Sequence, residues 1–180
     1  MSAFLHNFLL SLKSIKKVRA IVLIALLTAI GVVLEILTNF SLLGGAVQLK
    51  LSFVPIGICG MILGPVPAMI CAFLTDFLRA TLFPTGAYLV SLSLCQMVMG
   101  LIYGLFFYRR KITLKRITVT AIVNFLITTL VLKSLALAPV YYANNVLLTM
   151  QLRLWYVIIL PIEIIVFRIL SGPIINYSLK

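Results

Sequence analysis

Residues 18–38 read VRAIVLIALLTAIGVVLEILT. Arg19 and Glu35 are the charged members of this run. A helix rises about 1.5 Å per residue, so roughly twenty apolar residues match the ~30 Å hydrocarbon core of a bilayer. The run therefore predicts a transmembrane helix. Five more apolar runs follow it: Val47 to Leu63, Val66 to Leu82, Tyr88 to Tyr108, Leu114 to Ala138 and Leu152 to Leu170. The second and third are short, and Pro55 interrupts the second. Turn residues separate the runs at Gly44-Gly45, Gly64-Pro65-Val66-Pro67, Phe83-Pro84-Thr85-Gly86 and Ala138-Pro139.

Composition agrees. Of 180 residues, 63% are hydrophobic and 10% charged, more apolar surface than a soluble domain of this length can hide. The expected fold is an all-α integral membrane protein, a compact bundle of six transmembrane helices with a short amphipathic N-terminal segment. It forms a single membrane domain over residues 1–180: the N-terminal segment 1–17, the six-helix bundle 18–170 and a cytoplasmic tail 171–180. In the first segment Phe4, Phe8, Leu12 and Ile15 share one helical face beside Lys13, Lys16 and Lys17. That pattern suits a helix lying on the membrane surface. No positive charge precedes its apolar part, so it does not read as a signal peptide.

Fifteen Lys and Arg stand against three acidic residues, a net +12. Much of the excess falls in two clusters, Lys13, Lys16, Lys17 and Arg19, then Arg109, Arg110, Lys111, Lys115 and Arg116. With six spans both clusters lie on one side, and the positive-inside rule makes that side, and both termini, cytoplasmic. The basic excess thus speaks for membrane topology, and no nucleic-acid motif accompanies it. Loops 39–50, 83–88 and 139–151 then face outward. Cys59, Cys71 and Cys95 lie inside apolar runs without a C-x-x-C pair and read as buried small side chains, with neither disulfide nor metal expected.

A charge at membrane depth costs a few kcal/mol or more, so each one calls for a reason. Glu35, Lys50, Asp76, Arg79, Lys133 and Arg153 gather in the outer half of the predicted bundle, from five helices. Four positive and two negative groups leave 4 − 2 = +2, which favours an anionic solute from outside. Two plainer readings stand beside this one. Asp76 and Arg79, three apart, can pair on one helix face. Lys133 and Arg153 can extend to the headgroups. Glu163 and Arg168 sit in the inner half and read as structural. Gln48, Gln96, Asn124, Thr128, Thr129 and Gln151 can line the same cavity or simply bond helix to helix. Tyr88, Tyr141, Tyr142 and Trp155 lie near outer span ends, where they serve either an aromatic belt or stacking on a planar ligand. No P-loop, zinc-binding helix or nucleophile elbow occurs, and His6 is the one histidine, so neither an enzyme nor a bound cofactor is expected.

Several stretches also carry a family likeness. Phe53-Val54-Pro55-Ile56 and Met61-Ile62-Leu63-Gly64-Pro65 lead to Ala72-Phe73-Leu74-Thr75-Asp76-Phe77-Leu78. The loop Leu82-Phe83-Pro84-Thr85-Gly86-Ala87-Tyr88 and the run Gly100-Leu101-Ile102-Tyr103-Gly104-Leu105 follow. Together they resemble the substrate-specific S components of energy-coupling factor (ECF) vitamin transporters, and most closely the folate family. The resemblance implies a vitamin-binding subunit, for folate, that works with a transmembrane coupling subunit and two ATPase subunits. The family's first-helix A-x-x-x-A pattern, matched by Ala25 and Ala29, implies the coupling-subunit contact. Phe83 and Tyr88 of the outer loop join the candidate substrate-binding residues Glu35, Lys50, Asp76, Arg79, Gln96, Asn124, Lys133, Arg153 and Trp155. The chain departs from the family pattern at Leu89-Val90-Ser91-Leu92, where a Pro- and Gly-containing segment is usual, and at Lys50, where Arg is expected. Other readings of the same layout are an S component for another vitamin or precursor and a small membrane scaffold of the MreD kind.

Overall fold

The computed structural model describes residues 11, 17–38, 40–42, 47–49, 51–84, 89–110, 112–141, 150–151 and 153–178. Lys50, Tyr88, Tyr142 and nearly all of the amphipathic N-terminal segment lie outside the described residues. The chain divides into two compact units, residues 1–38 with 50–111 and residues 39–49 with 112–180.

Four helices make the first unit: α1 (Val18–Leu37), α2 (Phe53–Ile62), α3 (Pro65–Leu82) and α4 (Val90–Phe107). At about 1.5 Å per residue, α1, α3 and α4 are long enough to cross a membrane. Helix α2 is not. Its run was expected to be helical from Val47, but residues 47–49 form a strand and the helix begins at Phe53. The β-branched Val47 and the alternation to Leu49 suit an extended chain. Thr38 closes α1 by donating to Leu34 O and in turn accepts from Leu51 N at 3.1 Å, which holds Leu51 at the end of α1.

The helices pack through small residues. A side chain on Gly104 would begin 2.2 Å from Pro65 Cα, and one on Gly60 would begin 2.9 Å from the Gly104 backbone. Only glycine lets α4 lie this close to α2 and to the start of α3, the small-residue packing typical of membrane helices. The Gly100-to-Leu105 run thus owes its composition to sterics, with Tyr103 buried between the glycines and stacked on Phe107 at 6.0 Å. Pro65 fits the first turn of α3, where its missing N–H is harmless. Cys59, Cys71 and Cys95 are buried.

The second unit contains an antiparallel hairpin, β1 (Phe40–Leu42) with β2 (Val47–Leu49), pairing Phe40 with Leu49 and Ser41 with Gln48. Its helices are α5 (Leu114–Asn124), a π-helical stretch Phe125–Leu132, α6 (Lys133–Tyr141), a 3₁₀ turn Trp155–Ile158 and α7 (Ile159–Ser178). Residues 114–137 together are long and apolar enough to span. The π-helical widening was not expected. At its start Thr128 Oγ1 donates to Asn124 Oδ1 at 2.9 Å. Helix α7 also runs past Leu170 to Ser178, so residues 171–178 are helical.

Candidate functional site

In the first unit the polar side chains come from three apolar helices. Glu35, two residues from the end of α1, is 2% exposed. Its Oε1 lies 4.0 Å from Arg79 Nε on α3. One turn back on α3, Asp76 accepts a hydrogen bond from Ser93 Oγ on α4 at 2.5 Å. Arg79 therefore reaches across to α1 while Asp76 reaches across to α4. The Asp76–Arg79 pair that their spacing permits gives way to two interhelical contacts, because each finds a partner on a different neighbouring helix. Three residues after Ser93, on the same face of α4, Gln96 is 8% exposed. Its Oε1 has no hydrogen-bond donor among the described residues. A buried carbonyl left so costs about 1–3 kcal/mol.

Below this level the helices meet through small polar groups. Thr28 Oγ1 on α1 lies 3.6 Å from Cys71 Sγ, and Thr75 Oγ1 donates to Cys71 O at 2.8 Å. Thr75 also lines the space beside Gly31, whose side chain, if it had one, would start 3.0 Å from it. These contacts hold α1 against α3 and so fix how far Glu35 stands from Arg79. At the C-terminal end of α3, Phe83 is exposed and its N–H bonds Arg79 O at 3.0 Å. Phe73 and Phe77 stack at 6.0 Å on the same helix.

The second unit holds the other candidates. Asn124 and Thr128 are buried and bonded to each other. Lys133 opens α6 and is half-buried. Arg153 is half-buried, with its guanidinium 5.7 Å from the centre of the Tyr156 ring, a cation–π arrangement. Trp155 begins the 3₁₀ turn, and its side chain lies outside the described part. Ser134, beside Lys133, is fully buried, and its Oγ lacks a hydrogen-bond partner among the described residues. Ala25 and Ala29 lie exposed on α1, next to exposed Val22, Leu26 and Ile30.

Sequence reasoning missed Ser93 and Ser134. Ser93 had a usable signal: with Gln96 it makes a polar i, i+3 pair in an otherwise apolar helix. Among the described residues no group of three or more metal-ligating side chains occurs.

Helices of spanning length that carry a buried carboxylate, a carboxylate–hydroxyl bond and an unanswered amide define an integral, multi-pass membrane protein of the solute-handling class. The family model described as "ECF transporter, substrate-specific component" matches residues 19–178. Among curated proteins, the chain is 32% identical over 126 residues to "Folate transporter FolT" of Clostridium novyi, covering 67% of this chain and 72% of the relative. It is 29% identical over 128 residues to "Folate transporter FolT" of Leuconostoc mesenteroides, covering 71% and 68%. Among solved structures it resembles "Crystal structure of FolT bound with folic acid", with a TM-score of 0.77 and 26% identity over 87% of this chain and 95% of that one. The chain belongs to the family of substrate-specific components of ECF transporters, which sets aside the scaffold reading.

Proposed function

We propose that this chain is the folate-binding subunit of an ECF uptake transporter, with both termini cytoplasmic and one membrane domain of six spans. The observation that carries the substrate is its likeness, over 95% of that chain, to a structure of FolT bound with folic acid. Folate carries a carboxylate-bearing tail and a heterocycle with N–H donors. The residues present suit both ends. Asp76, already an acceptor for Ser93, and the unanswered Gln96 Oε1 can receive ring N–H groups. Arg153, with its planar fork, suits a carboxylate. Glu35 fixes Arg79, and Lys50, Phe83, Tyr88, Asn124, Lys133 and Trp155 complete the proposed set.

On this reading the chain captures folate from outside and delivers it inward together with a transmembrane coupling subunit and two ATPase subunits that hydrolyse ATP. Ala25 and Ala29 form the face against the coupling subunit, because small side chains permit close helix approach. Their exposure on α1 supports this role. The test is mass spectrometry of the small molecule released from protein purified out of folate-containing medium. Folate in stoichiometric amount is the expected result. A different vitamin released from well-folded protein would overturn the substrate assignment and leave the family intact.

A further inference from the structure

The sequence has three acidic residues, and all three sit within helices: Glu35 in α1, Asp76 in α3 and Glu163 in α7. No loop offers a carboxylate. The turn after α4 nevertheless carries two arginines in succession. Arg109 and Arg110 are both exposed, and neither has an acidic partner among the described residues.

This turn is built. Arg109 has φ 53°, the left-handed region that is unfavourable for a residue with a Cβ. What it gains is position: its guanidinium lies 5.6 Å from the centre of the Tyr108 ring. Tyr108 is itself 8% exposed. Its ring packs against Gly64, where a side chain would begin 3.3 Å from ring carbons and 2.8 Å from Ser11 Cβ. Gly64 too has positive φ, 101°. The Arg110 N–H to Phe107 O bond, 3.3 Å, closes the turn. So the α2–α3 turn, Ser11 and the end of α4 together form the base on which Arg109 rests. A guanidinium stacked on a ring keeps its in-plane N–H donors free for an anion, and such a fork matches a phosphate with two parallel bonds.

We infer that the Tyr108–Arg109–Arg110 turn is a binding site for the phosphate of an anionic phospholipid. The setting selects lipid over other anions. The turn directly follows a membrane-spanning helix, and exposed Leu114 stands four residues after Arg110. Guanidinium groups at such a border lie at headgroup depth, where each basic residue adds measurable attraction to an anionic surface. The inference is independent of the vitamin carried.

The test uses the full chain, reconstituted in nanodiscs of phosphatidylcholine alone or with added phosphatidylglycerol, and counts retained lipids by native mass spectrometry. The parent should retain phosphatidylglycerol over phosphatidylcholine. The double variant Arg109→Gln/Arg110→Gln should lose that preference by roughly tenfold or more. Arg109→Lys, which keeps charge but loses the fork, should fall in between, and Lys115→Gln should match the parent. Folate titration of each variant verifies folding separately. Equal retention of both lipids by the parent would overturn the inference, as would an unchanged double variant. An equal loss in Lys115→Gln would mean diffuse charge and would also overturn it. So would displacement by millimolar inorganic phosphate, which marks a free-anion site, or loss of only the coupling-subunit contact in the double variant.

Discussion

Replacing Gln96 with Met separates a structural from a recognition role, because the two make opposite predictions about stability. Gln96 is 8% exposed and its Oε1 has no donor among the described residues. Met has nearly the same length and volume, so packing should survive at a cost below about 1.5 kcal/mol. Removing the unanswered carbonyl relieves about 1–3 kcal/mol of desolvation penalty. The ligand-free variant should therefore unfold at equal or higher temperature than the parent. With folate bound, the same carbonyl would accept a ring N–H. Losing it would strand that donor in a buried site and cost about 1–3 kcal/mol of affinity. Dissociation constants should rise roughly five- to hundredfold. The assay pairs thermal unfolding of the detergent-solubilised protein with a folate titration followed by intrinsic fluorescence. A variant that is clearly less stable yet binds folate as tightly as the parent would refute this reasoning and make Gln96 a packing residue.

Asp76→Asn and Arg153→Ala should each weaken folate binding by roughly five- to hundredfold in the same titration while helix content by circular dichroism stays constant; parent-like binding by both would show that these charges are structural. Ala25→Leu and Ala29→Leu should abolish most uptake into proteoliposomes carrying the whole transporter yet leave folate binding by the isolated chain intact, because bulk at a small-xxx-small face blocks helix approach. Gly104→Ala should lower stability by about 3 kcal/mol or more, seen as a lower unfolding temperature, since the new Cβ would stand 2.2 Å from the Pro65 backbone, which cannot move aside alone. For orientation, a cysteine at Phe83 should react with an impermeant maleimide added outside whole cells and one at Arg110 should not. The three native thiols are buried and should give little background.

The apolar runs made the long helices legible, because a spanning helix must satisfy every backbone group within itself and so needs little beyond some twenty apolar residues. The second run was one exception. Val47-Gln48-Leu49 is apolar enough to join the helix that follows, and hydropathy carries no information about pairing. Only the antiparallel register with Phe40–Leu42 makes it a strand. The π-helical stretch Phe125–Leu132 was hidden for a related reason. Its sequence, FLITTLVL, is ordinary for a membrane helix, and the widening is expressed in backbone bonds. By contrast Gly100 and Gly104 were recognisable as a motif before their role was known. Close backbone contact excludes every side chain but hydrogen, so a steric demand of the fold is written directly into residue type.

The charges were legible as a group and not as pairs. Depth along a helix can be counted, which brought Glu35, Asp76 and Arg79 to one level. Helical spacing can place Asp76 and Arg79 on one face but cannot say which neighbour each will meet. A helix packed between two others offers its side chains partners on both flanks, and Arg79 turned to Glu35 while Asp76 turned to Ser93. Net charge hides the same division. Fifteen basic residues against three acidic ones give the +12 excess, and all three carboxylates sit inside helices, Glu35 at 2% and Glu163 at 8% exposure. A carboxylate is costly there and needs local partners, whereas a loop arginine outside the bilayer needs none from its own chain. In the turn after α4, Arg109 and Arg110 have no acidic partner among the described residues. On the proposed reading, the interior charges position side chains for a solute and the turn arginines meet the membrane surface.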